Sequence, residues 1–301
     1  MINGIINIYK EAGFTSHDVV AKLRGILHQK KIGHTGTLDP GATGVLPVCL
    51  GSATKIVEFL TNEKKSYRAG LLLGKVTDTQ DISGQVLEEN EPVADEEEIR
   101  AVIASFIGPC MQVPPMYSAI KVNGKRLYEL AREGKTVERK ARPVEFFDIS
   151  IVEMQLPHLV IDVTCSKGSY IRTLCHDIGA KLSCGACMES LVRTSSGSFT
   201  LDQAKTLSQV EEAVAEGRIK EWIRSVDSMF PSYEKMIVSG QEKKLVHNGN
   251  PIKLQGSDRP ENGCGFRIWD DEGCFVGIYE YRASRNLLYP VKMFMDGGNN
   301  S

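Results

Sequence analysis

The amino-acid sequence predicts an α+β chain in two parts, a large domain over residues 1–232 and a small β-rich domain over 233–301. Three observations point there. Apolar residues recur at helical spacing in several segments, strand-like apolar runs lie between them, and beyond Phe230-Pro231-Ser232 the pattern changes to short strands separated by Gly, Asn and Pro turns. A chain of 301 residues is long enough for two hydrophobic cores.

In order, a strand at Ile5–Ile8 leads through Gly13 to Thr15-Ser16-His17-Asp18. Thr15 or Ser16 there caps a helix whose apolar face is Val19, Val20, Leu23, Ile26 and Leu27. The stretch Gly33–Gly51, GHTGTLDPGATGVLPVCLG, then sets five glycines and two prolines around one carboxylate, Asp39. Asp39-Pro40-Gly41 predicts a turn with Asp39 at its tip, and the glycines permit positive φ and close approach to a ligand. Val45, Leu46, Val48, Cys49 and Leu50 form a buried anchor behind it. A stiffly anchored lone carboxylate suits an active-site loop, and the spacing alone suits a structural turn equally well. A phosphate-binding loop would need Gly-Lys-Ser/Thr where Gly41-Ala42-Thr43 stand, which argues against nucleotide hydrolysis.

Ile56, Val57 and Leu60 predict a helix, and Tyr67–Leu73 a buried strand headed by Tyr67 and ended by Gly74. Asp95–Glu98 precede Ile99, Val102, Ile103 and Phe106, so they occupy the first turn of a helix, complement its dipole, and the helix closes at Gly108-Pro109. In residues 114–143, Lys and Arg interleave with Tyr117 and Tyr128, a pattern open to RNA contact and to a solvated helix-and-turn excursion alike. Strands at about 144–155 and 159–165 run into a helix with the face Ile171, Leu174, Cys175, Ile178 and Leu182. Arg172 lies off that face, in the first turn. A cation there opposes the helix dipole by roughly 0.3–1 kcal/mol when exposed, so an anionic partner is expected elsewhere, with Asp39 the candidate. Leu201–Ile223 reads as helical, and 234–295 as a small β-barrel.

With 42% hydrophobic and 25% charged residues the composition is that of a soluble globular protein. The N-terminus lacks a basic segment followed by an apolar stretch, so a cytoplasmic location with no membrane association is expected, and the eight cysteines read as reduced thiols. Net charge is −2, but residues 88–98 hold seven carboxylates and no Lys or Arg, which leaves the remainder at +5. Cys175-His176 near Cys184 and Cys187 could be imagined as a zinc site; Cys175 already belongs to an apolar helical face, and no metal is expected.

GHTGTLDPGATGVLP at 33–47, KSYRAGLLLG at 65–74, TDTQDISG at 77–84, PPMYSAIKVNGKRLYELAREG at 114–134 and SKGSYIRTL at 166–174 closely resemble the TruB family of tRNA pseudouridine synthases. The resemblance implies a pseudouridine synthase fold, with a mixed, mainly antiparallel central sheet flanked by helices, and a C-terminal PUA-like RNA-binding domain over 233–301. It also implies isomerisation of the T-loop uridine of tRNA, position 55, by base flipping into a dry pocket, without cofactor or metal. On it, Asp39 is the essential carboxylate, Arg172 its partner, and Tyr67 the stacking and proton-transfer residue. Tyr170 lines the pocket, His34 helps occupy the disrupted T-loop, and Lys55, Asp81 and Leu191 support or line the site. The insertion at about 115–143 resembles the segment with which stand-alone members grip the T-arm, so tRNA is the expected partner of a monomer needing no other protein. An RNA-guided synthase of the dyskerin kind and a non-catalytic tRNA-folding module are the other readings.

Overall fold

Asn7 and Lys10 apart, strand β1 (Gly4–Lys10) is a run of glycine, isoleucine and tyrosine with no inside-outside alternation, because both faces of this strand are covered. The computed structural model describes residues 1–92, 95–122, 124–254 and 259–295. After β1, Thr15 starts α1 (Ser16–Ile26): its hydroxyl accepts the Asp18 N–H, and the Asp18 carboxylate accepts the Thr15 N–H. Strand β2 (Ile32–His34) pairs antiparallel with β3 (Thr43–Leu50), which also pairs with β1. Helix α2 (Val57–Thr61) leads into β4 (Lys65–Leu73) and then a hairpin of β5 (Lys75–Thr77) and β6 (Val86–Glu89).

Asp95 caps α3 (Glu96–Ala104) by accepting the Glu98 N–H. The helix ends earlier than its sequence predicts. Gly108 and Pro109 open β7 (Gly108–Gln112), the edge strand of the sheet, where a proline without an N–H removes no ladder bond on the open side. The basic insertion holds a hairpin, β8 (Lys121–Val122) and β9 (Lys125–Arg126), and α4 (Leu127–Arg132). Then come β10 (Arg142–Gln155), β11 (His158–Cys165), α5 (Ile171–Lys181), β12 (Ala186–Ser196), β13 (Phe199–Thr200) and α6 (Leu207–Ala215). The stretch 201–223 is thus not one helix: Thr206 caps α6 as a fresh start, and Gly217, at φ 73°, stops it before a short 3₁₀ turn at Ile219–Trp222.

Among the described residues nine strands form one sheet along the path β1-β3-β12-β4-β11-β10-β7, with β2 on β3 and β13 on β12. Only β3 and β12 run parallel within it. One face packs on α3 and α5 through Ile99, Ile103, Leu174 and Ile178, and the β1-β3 end is covered by α1 and α6. The tail comprises β14 (Glu234–Val238), α7 (Gly240–His247), β15 (Ile252–Lys253), β16 (Gly265–Asp270), β17 (Phe275–Arg282) and β18 (Leu287–Met293). Its strands form a curled half-barrel in the order β14-β16-β17-β18-β15, open at two edges. Residues 255–258 and 296–301 of the expected tail domain lie outside the described residues.

The glycines of the Asp39 loop act at its ends and not at its tip. Gly44 (φ 101°) and Gly51 (φ 58°) use the left-handed region, whereas Gly33, Gly36 and Gly41 do not. Gly44 lies where β3 meets β12, and a Cβ there would sit 2.3 Å from the Arg193 carbonyl oxygen. Gly44→Ala should therefore cost about 3 kcal/mol of folding stability through strain and forced separation of the two strands, read as a lower urea midpoint. An unchanged midpoint would remove the claim that this contact sets the strand spacing.

Candidate active site

Asp39 occupies the turn Asp39-Pro40-Gly41-Ala42, closed by the Ala42 N–H donating to the Asp39 carbonyl at 3.1 Å. The loop is held at both ends by β2 and β3, and α5 delivers Arg172 from across the sheet. Arg172 Nε donates to Asp39 Oδ2 at 2.9 Å and Nη2 to Oδ1 at 3.2 Å, the parallel fork that a guanidinium makes with a carboxylate. The same guanidinium donates from Nη1 to the Thr79 carbonyl (3.0 Å) and from Nη2 to the Tyr117 carbonyl (2.8 Å). The anion that the position of Arg172 called for is Asp39.

The burial of the two partners differs from the sequence expectation of a carboxylate in a dry pocket. The Arg172 side chain is 6% exposed and that of Asp39 is 39% exposed. The turn tip points out of the core, so the buried member of the pair is the cation, and the carboxylate is open to solvent on one side. Asp81 stands behind them, with Oδ2 3.8 Å from Arg172 Nε and Oδ1 accepting from Thr79 Oγ1 (2.8 Å) and the Ser83 N–H (3.0 Å).

Tyr67 is the third residue of β4 and is buried, with Arg193 opposite it on β12 and Val163 opposite it on β11. Burial pushes its hydroxyl pKa above the usual phenol range, with the Arg193 guanidinium opposing that shift, so the hydroxyl keeps its proton at neutral pH. Tyr170 precedes α5, its N–H donating to Gln112 Oε1 at 2.8 Å and its carbonyl accepting from Gln112 Nε2 at 3.1 Å; burial raises its hydroxyl pKa too. His34 ends β2, and its Nδ1 accepts the Gly36 N–H at 3.3 Å. Burial lowers its pKa, which keeps the imidazole neutral. Leu191 on β12 is buried in the same core cluster as Tyr67.

Lys55 does not join this group. Its Nζ donates to the Met293 carbonyl at 2.7 Å and ties the large domain to the tail, since the turn at Gly51–Ile56 faces β18. Sequence reasoning missed three cations under the loop. Lys10 is fully buried and donates to the carbonyls of Phe14 (2.5 Å), Glu11 (3.0 Å) and Pro40 (3.1 Å). Lys65 donates to the carbonyls of Thr61 (2.9 Å) and Glu63 (2.8 Å), and Arg193 to that of Val45 (2.6 Å). Lys10 alone carries a sequence signal, a cation that ends a mainly apolar strand; the strands of Lys65 and Arg193 hold other polar residues and do not mark them out. Burial pulls the Lys10 and Lys65 pKa values down to about 8. Cys175, Cys184 and Cys187 are buried thiols raised by that burial, and among the described residues no three His, Cys, Asp or Glu side chains are grouped as a metal ion would need.

The sequence matches the family model of the TruB family pseudouridylate synthase N-terminal domain over residues 24–171, and that of the tRNA pseudouridylate synthase B C-terminal domain over 172–231. It is 48% identical to the tRNA pseudouridine synthase B of Lachnoclostridium phytofermentans over 98% of this chain and 100% of that protein. Against the tRNA pseudouridine synthase B of Alkaliphilus oremlandii it is 50% identical over 83% of each. Among solved structures, a chain of an H/ACA RNP bound to a substrate RNA containing 2'-deoxyuridine superposes with a TM-score of 0.72 at 25% identity, over 97% of this chain and 85% of that one. A chain of a Cbf5-Nop10-Gar1 complex gives 0.71 at 26% identity, over 97% and 85%.

Arg172→Met should lower the unfolding free energy by about 2 kcal/mol, because two carbonyls lose their donor while the half-exposed Asp39 regains water. Urea denaturation measures this, and an unchanged midpoint would mean that the fork does not join the loops. Lys10 has a folded pKa of about 8, below its ordinary 10.5, so between those values the unfolded chain binds more protons and stability rises with pH. The difference in unfolding free energy between native protein and Lys10→Met should therefore grow in favour of the native protein above pH 8, by roughly 1 kcal/mol per pH unit. A flat difference would show that Lys10 is not depressed.

Proposed function

The chain belongs to the TruB family of pseudouridylate synthases, and from that premise we propose that it converts the T-loop uridine at position 55 of tRNA to pseudouridine with Asp39 as the essential carboxylate. The single observation that carries the assignment of roles is the forked contact of Arg172 with Asp39 across 133 residues of chain. In this reaction the N1–C1′ bond breaks, a C5–C1′ bond forms, C5 loses a proton and N1 gains one, so nothing is oxidised and no water is consumed. A carboxylate held at one position and one orientation is the main requirement, acting as nucleophile or as proton acceptor.

Arg172 supplies that orientation. Both Asp39 oxygens are engaged by the fork, so the carboxylate plane is fixed before any nucleotide arrives, and its half-exposed edge is the part left to meet the ribose or the base. Tyr67 offers an apolar ring for stacking and a protonated hydroxyl beside it, and Tyr170 and Leu191 supply further walls for an extruded pyrimidine. His34, neutral and half-buried next to the loop, suits occupation of the space that the base vacates.

The insertion at 115–143 sets Arg126 and Arg132 over the Tyr128 ring at 5.8 and 5.4 Å, with Lys121 and Lys125 in the adjoining hairpin. Basic and aromatic groups so interleaved suit the phosphates and bases of a T-arm, with the half-barrel tail as a second, PUA-like RNA surface. An insertion able to contact the T-arm directly supports action without a protein partner, and we propose a cytoplasmic monomer on that reading. The proteins to which the structure is similar stand in assemblies with other proteins, which is the competing reading.

Purified protein incubated with an unmodified tRNA transcript, and nothing else, should form pseudouridine at position 55, detected by carbodiimide mapping. Absence of product until a second protein or a guide RNA is added would favour the competing reading. Asp39→Ala should lower the rate by about a thousandfold or more while tRNA affinity stays within about threefold, since the carboxylate acts on the reacting atoms and not on the phosphates.

A further inference from the structure

Arg193 is, among the described residues, the largest side chain that the fold buries completely, at 1% exposure. A charge in that position is costly, and a core that required only volume would hold Leu or Met. Its hydrogen bonds go to main-chain carbonyls of the Asp39 loop: Nε to Val45 (2.6 Å), Nη2 to Gly36 (3.4 Å) and Nη1 to Thr37 (3.5 Å). The two ends of the loop are thereby joined by one rigid fork, with the Asp39 turn between them. The Arg193 backbone grips the loop as well, since it pairs with Gly44, where a Cβ would collide with it. Gly36 is seated against the guanidinium, with 3.6 Å from its Cβ position to Arg193 Nη1. On the other side Arg193 stands opposite Tyr67 in the β12-β4 ladder.

We propose that Arg193 is a positioning residue for the isomerisation, a buried guanidinium that fixes the height of the Asp39 turn relative to Tyr67 and so sets the gap into which the pyrimidine fits. The inference rests on the function proposed above. Arg172 orients the carboxylate from the buried side through its side-chain oxygens, and Arg193 holds the backbone that carries it. Neither Leu nor Lys would replace the fork: Leu leaves three carbonyls without donors, and a lysine ammonium cannot span Gly36 and Val45 in one plane.

The test is the single-turnover rate of pseudouridine formation at saturating protein, with tRNA affinity by filter binding and the thermal midpoint, for native protein, Arg193→Lys and Arg193→Met. Arg193→Lys keeps the buried charge and should fold, bind tRNA within about threefold of native, and react about a hundredfold more slowly, the loss expected of a misplacement near 1 Å. Arg193→Met should lose at least as much. A native rate in either folded variant overturns the proposal. So does a rate loss that affinity and thermal midpoint lose in parallel, or failure of both variants to fold, because Arg193 would then serve the core alone. If the native protein itself forms no pseudouridine, the reading of the site fails; if it does and Arg193→Lys matches it, only this inference fails.

Discussion

The site depends on the four hydrogen bonds of the Arg172 guanidinium. One planar group joins the Asp39 turn, the Thr79 segment and the Tyr117 end of the basic insertion, three pieces of chain that share no ladder with one another. Its burial makes the joint strict. A guanidinium at 6% exposure must find acceptors for its donors, so each of the three segments is held where an acceptor is needed. Asp39 is thereby fixed from the inside while its own surface stays open. A carboxylate that is both immobile and accessible is difficult to obtain by burying the carboxylate itself, and here the burial is transferred to its partner.

The loop that carries Asp39 is stiff for a related reason. Lys10 bonds to the Pro40 carbonyl, immediately after Asp39, and Arg193 bonds to carbonyls on both sides of the turn. Main-chain carbonyls are weak partners for buried cations, and burial correspondingly pulls the Lys10 pKa down to about 8. Protonated, Lys10 has three donors for its three carbonyls; deprotonated, it has two. The turn geometry is thus coupled to the charge of a residue that is itself fully buried.

Much of this was legible in the sequence. A helix cap at Thr15 or Ser16, the buried run after the Asp39 turn, the helix bearing Arg172 and the acidic start at Asp95 follow from local periodicity and end chemistry, and all four are present, with Thr15 as the cap. The pairing of Arg172 with Asp39 was legible because a cation in a first helical turn is out of place without an anion. What sequence could not supply is strand order. Arg193 and Lys65 lie beneath the loop only because β12 is set between β3 and β4, and Lys55 meets the tail only because β18 docks on the turn after β3. The glycines divide differently from their sequence reading: Gly36 and Gly41 flank the carboxylate without positive φ, which occurs instead at Gly44 and Gly51, where a strand and the chain start pass too close for a Cβ.

The boundary near residue 232 separates composition more cleanly than it separates cores. Ile278 and Phe294 of the half-barrel share one apolar cluster with Ile5, Val45 and Cys49 of β1 and β3, and Phe230 sets its ring edge-on to Phe59 with 5.7 Å between ring centres. The Lys55 bond to Met293 closes the same junction. Strand β3 begins at Thr43, directly behind the turn that Asp39 opens, and it turns Val45 and Cys49 toward this cluster. The half-barrel therefore packs on the strand that anchors the Asp39 turn, so apolar contacts with the tail add to the stiffness that Lys10 and Arg193 give the loop from within.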